Sequence, residues 1–108
     1  MKALLAVLTT LIALGMVCSI GIAAENGNSD KGKALFNDAK FAGGKKACSE
    51  CHPNGKGLAK VADKKEFKIE GGLEKQVNAC IVAANKGKAI EPKSVEMADM
   101  IAYIKSIK

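Results

Sequence analysis

Cys48-Ser49-Glu50-Cys51-His52 places two thiols and the only histidine of this 108-residue chain within five positions. This is the C-x-x-C-H spacing of covalent haem attachment, and the spacing has a chemical reason. The two thiols add to the two vinyl groups of a porphyrin, and the next residue sets an imidazole under the iron as proximal ligand. Other uses of these residues fit less well. A dithiol redox pair wants C-x-x-C beside a βαβ pattern, and none is visible. Zinc wants four ligands, which Cys48, Cys51, His52 and Cys80 would have to supply. Zinc ligands normally come as two short-spaced couples, whereas Cys80 stands alone. The motif therefore predicts one haem c, held covalently by Cys48 and Cys51, with His52 on the iron.

Residues 1–24 read as a signal peptide. Lys2 gives a positive start, Ala3 to Val17 is apolar apart from Thr9 and Thr10, and Gly21-Ile22-Ala23 offers small residues before a cut after Ala24. The apolar run is also long enough to act as an uncleaved anchor, the one way in which the chain would meet a membrane. Export to a periplasm, or an equivalent compartment outside the cytoplasm, is expected. There thiols face oxidation. With Cys18 removed and two cysteines used by haem, Cys80 is an odd thiol, which marks it as a candidate site.

Residues 25–108 form one small domain. A chain this short buries little apolar surface, and its aromatics are three phenylalanines and one tyrosine, with no tryptophan. A covalently held macrocycle would serve as the centre of its core, and without it folding is expected to be poor. All 17 basic residues are lysine, against 11 acidic ones, for a formal net charge of +6; loss of the leader takes Lys2 away. A lysine surface suits solubility and docking to a redox partner with an acidic face. Basic runs interleaved with aromatics are missing, so nucleic acid is not an expected partner.

The periodicity predicts an all-α domain. A first helix is expected over about Asp30–Lys40, capped by Ser29 or Asn28, with Gly32, Leu35, Phe36 and Ala39 on one side and Gly43-Gly44 as its stop. Pro53-Asn54-Gly55 forms a turn, and Gly55 and Gly57 let the backbone pass close to the macrocycle. Phe67-Lys68-Ile69 reads as briefly extended. A helix over about Leu73–Lys86 carries Leu73, Val77, Cys80 and Ala84 on one face, with Gly87 as its stop. Ser94 caps a last helix, Glu96 lies near its positive end, and Met97, Met100, Ile101, Tyr103, Ile104 and Ile107 follow.

With Gly32 and Phe36 in the first helix, the Cys48–His52 motif, and a last helix through Met100-Ile101-Ala102-Tyr103-Ile104-Lys105, the chain resembles the class I single-haem cytochromes c over nearly all of residues 25–108. The resemblance implies three or four helices around one haem, with the first and last helices crossing closely at Gly32 and Phe36 packed on Tyr103. The usual class I protein takes its sixth ligand from a methionine in the loop before the last helix. Here Gly87-Lys88-Ala89-Ile90-Glu91-Pro92-Lys93 contains none, and Met97 and Met100 fall inside the expected helix. Leu73 through Tyr103 is similar to the ligand region of the His/Cys-ligated subtype, seen in the small NaxL and NaxS haem proteins and in SoxA. That similarity implies Cys80 as distal axial ligand. Met97, Met100, Lys86, Lys88 or an open iron remain alternatives.

Electron transfer is the leading expectation, with no enzymatic activity expected. The second is a module that binds NO or CO or senses redox state, with a displaceable Cys80. The third is the haem subunit of a sulfur-oxidising enzyme. A homo- or heterodimer with another small cytochrome suits so small a chain.

Overall fold

The structure is a computed structural model that describes residues 27–68 and 71–108. The expected leader lies outside these residues. No helix among the described residues is long and apolar enough to cross a membrane.

The described chain is helical, with no strand among its residues. Four α-helices follow one another: α1 (Ser29–Phe36), α2 (Cys48–Cys51), α3 (Gly72–Ala83) and α4 (Val95–Ser106), joined by short 3-10 turns. Asn28 is the cap of α1, its Oδ1 accepting the Lys31 N–H at 3.0 Å. Ser94 Oγ caps α4 by accepting the Met97 N–H at 3.2 Å, as the sequence predicts.

An eight-residue helix is not stable alone. α1 is held because it lies on α4, the most extensive contact between elements. Gly32 makes this possible: a Cβ at this position would overlap the Asp99 carbonyl oxygen and come within 2.9 Å of Tyr103 Cβ. Phe36 meets Tyr103 edge to face, ring centroids 5.1 Å apart at 63°, an arrangement that contributes about 1 kcal/mol beyond burial. Asp99, unremarked in the sequence, is buried in the same seam, where its Oδ1 accepts the Asn28 N–H at 2.7 Å. Met97 and Met100 fill the core beside them and are fully enclosed.

Several sequence expectations are corrected. α1 ends at Phe36 and not near Lys40, because the Asn37 side chain donates to the Lys33 carbonyl at 2.8 Å and closes the last turn early. Gly43-Gly44 is therefore not its stop. Lys65–Phe67 forms a 3-10 turn, so Phe67 is not extended, and Ile69 lies outside the described residues. α3 ends at Ala83, short of Lys86. The Asn85 and Gly87 N–H groups reach back to the Cys80 and Ile81 carbonyls at 3.1 and 2.9 Å and break the regular ladder. The buried stripe of α3 is Leu73, Val77 and Ile81, whereas Cys80 and Ala84 are exposed. Four-residue steps from Leu73 reach Ile81, and packing on the core turns that row inward.

Gly32→Ala is expected to cost about 2–3 kcal/mol, the size of an overpacked core. Chemical denaturation of the purified protein measures it.

Candidate functional site: an apolar cleft between thiols and imidazole

The motif is built on one helical turn. The four residues of α2 are entered through Ala47, whose N–H donates to Glu50 Oε2 at 2.5 Å. The turn is closed by the His52 N–H donating to the Cys48 carbonyl at 3.0 Å. Cys51 is exposed and Cys48 half-buried. His52 then leaves the helix. Its Nδ1 lies 2.9 Å from the Lys56 carbonyl oxygen. A carbonyl only accepts, so Nδ1 carries the proton and donates. That leaves the Nε2 lone pair free as a ligand, the usual way a metal-binding imidazole is oriented. Gly57 has φ +87, a conformation strained for other residues, and a Cβ there would meet the His52 ring at 3.7 Å.

Cys48, His52 and Cys80 line one cleft. Apart from Gln76, its other walls are apolar side chains from α1, α3, α4 and the turns after the motif, including Phe36, Leu58, Val61, Leu73 and Ile104. The cleft counted with its open mouth measures about 480 Å³, of which the centre of a water molecule can reach about 80 Å³. Such walls offer a mainly apolar surface that is open to solvent on one side. Among the described residues, no three His, Cys, Asp or Glu side chains gather closely enough to hold a bare metal ion. Cys48, Cys51, His52 and Cys80 are thus not drawn together as a four-ligand zinc site.

Cys80 and Met97, alternatives the sequence offers for an axial ligand, are placed differently. Cys80 lines the cleft, exposed, with Gln76 Nε2 3.7 Å from its Sγ. Met97 is packed in the core with no exposed surface, and neither it nor Met100 lines the cleft. Lys86 is turned away, its Nζ donating to the Ala83 carbonyl at 2.8 Å. The loop before α4 is fastened to α3: Asn78 Nδ2 donates to the Ile90 carbonyl, and the Ile90 N–H donates to Asn78 Oδ1, both at 2.8 Å.

Burial raises the Cys48 thiol above its ordinary pKa, with a side-chain hydrogen bond from Asn85 opposing the rise. Asn85 Nδ2 lies 3.4 Å from the Cys48 sulfur. Sequence reasoning missed Gln76, Asn78 and Asn85, because an asparagine or glutamine on or just past a helix gives no periodic signal. Leu58 and Val61 were visible only as apolar residues scattered through a lysine-rich stretch.

Comparison with protein-family models, with curated proteins and with solved structures finds no match in any of the three.

Asn78→Leu removes both bonds to Ile90 and is expected to cost about 2 kcal/mol, two ordinary hydrogen bonds. The fall in thermal unfolding midpoint of the purified protein measures it.

Proposed function

We propose that this chain is an exported single-haem c-type cytochrome that carries electrons, with the class I fold. In this reading, Cys48 and Cys51 hold the porphyrin as thioethers, His52 Nε2 is the proximal ligand and Cys80 the distal one. The observation that carries it is the placement of Cys48, His52 and Cys80 around one apolar cleft, without the clustering a bare ion would need. The His52 tautomer set by Lys56 supports it.

The haem would supply a one-electron iron couple. The chain's own residues decide where that couple lies. Cys80, as thiolate, donates charge and favours the ferric state, so the potential falls well below that given by a methionine thioether. Where the apolar walls would cover the haem they would exclude water and so strengthen the electrostatic interactions on that side. Lys60, Lys105 and Lys108, with Asp63 as the one acid beside them, line a groove that shares Ile104 with the cleft. With the lysine-rich composition these lysines support an acidic redox partner, approached under electrostatic steering.

A second reading has its own support. Cys80 Sγ is held by one distant side-chain contact on an exposed residue, which suits a ligand that leaves on reduction. The protein would then bind CO or NO.

The full-length chain, exported and purified, is expected to be coloured and to exceed the bare polypeptide mass by one haem. A colourless product of bare mass overturns the proposal. The electron paramagnetic resonance spectrum of the ferric form should show the narrow low-spin g spread of thiolate ligation, lost in Cys80→Ala. An unchanged mutant spectrum removes Cys80 from the site. Adding CO to the reduced protein decides between the readings: a changed spectrum favours the second, an unchanged one the first.

A further inference from the structure

Asn85 and Asp99 are the two buried polar residues of the described core. Asp99 ties α1 to α4. Asn85, only 6% exposed, has no part in the proposed function. It sits just past α3, fixed by its backbone from two sides. Its carbonyl accepts the Lys45 N–H at 2.8 Å, and its N–H donates to the Cys80 carbonyl at 3.1 Å. Asparagine side chains near helix ends commonly bond nearby backbone. This one reaches 37 residues back along the chain, its Nδ2 lying 3.4 Å from Cys48 Sγ.

A thiol is a weak acceptor, so the bond adds little to stability. Its effect is directional. A cysteine side chain otherwise rotates among three staggered positions, and a buried donor whose own backbone is pinned selects among them. Cys48 lines the cleft, whereas Cys51 is exposed. Of the two motif thiols, Cys48 is the one that Asn85 steadies.

We propose that Asn85 is a positioning residue for covalent attachment: with the chain folded around a seated haem, it holds the Cys48 sulfur at the cleft so that this thiol adds to its vinyl group. The inference rests on the haem reading above. The addition is neutral in electrons. Cys48 gives up its S–H, its sulfur bonds to the inner vinyl carbon, the hydrogen goes to the terminal carbon, and the vinyl double bond becomes single. Asn85 neither gives nor takes a proton.

The test compares four exported full-length proteins: wild type, Asn85→Leu, Asn85→Ala and Asn78→Leu. Leucine keeps the size of Asn85 and removes the donor. Asn78→Leu breaks the other asparagine tie of this region without touching Cys48. Haem-bearing protein is unfolded, its free thiols are alkylated, and peptide mass mapping reports attachment at Cys48 and Cys51 separately. Both Asn85 variants are expected to show a several-fold larger share of free Cys48 than wild type, with Cys51 still attached. Their alkaline pyridine spectra should show one surviving vinyl group. Asn78→Leu should lower yield while leaving both positions attached. Complete attachment at both cysteines in the Asn85 variants overturns the proposal. So does equal loss at both cysteines, or failure of both variants to yield any haem-bearing protein, since either makes Asn85 a folding residue only. A wild type without haem removes the haem reading itself.

Discussion

The close approach of α1 to α4 is the contact on which the rest of this small domain depends. It works because Gly32 has no side chain where the Asp99 carbonyl passes, so two backbones meet without an intervening layer. Dispersion between closely packed atoms is weak singly and large in sum. Phe36 and Tyr103 extend the seam, and Asp99 satisfies the Asn28 N–H at the entrance to α1. The arrangement makes α4 the wall against which everything else is placed, and it consumes Met97 and Met100 as core.

α3 is held in another way. Its stripe of Leu73, Val77 and Ile81 is buried, but its contact with α4 is slight beside that of α1. Polar ties near its C-terminal half compensate. Asn78 grips the following loop at Ile90, and Asn85 joins the helix end to Lys45 and Cys48. Held from its end, α3 leaves an apolar cleft beside α1 and α4 with Cys80 on its edge. The same ties bear on the choice of axial ligand in the proposed function. A loop fastened to α3 and lacking methionine has no thioether to offer the iron of that proposal, and the α4 methionines are already packed.

The sequence was most legible where the chemistry is local. C-x-x-C-H is readable as a motif because its five residues are consecutive, and Cys48–Cys51 form one helical turn here. Asn28 and Ser94 announce their caps by the same logic, since a cap bonds within three residues of itself. Helix ends were less legible. Asn37 closes α1 with a side chain and not with a glycine, and α3 unwinds ahead of Gly87 because backbone N–H groups beyond it reach back. Periodicity gave the faces of α3 only approximately. Cys80 and Ile81 are neighbours in sequence and about 100° apart on the helix, and which of them turns inward depends on the partner surface. Asn85 was invisible as a site residue, because its bond spans 37 positions.

By itself, then, the sequence determined that two thiols and the only histidine fall within five positions, that the described domain is helical, and that no loop methionine precedes the last helix. These are matters of spacing and composition, which hold before the chain folds. Only the tertiary structure decided that Cys80 shares a cleft with Cys48 and His52 while Met97 does not, and that Asn85 reaches the Cys48 sulfur. Such distances are set by how α1, α3 and α4 share a core, and core packing follows from all the side chains together, not from any short stretch of them.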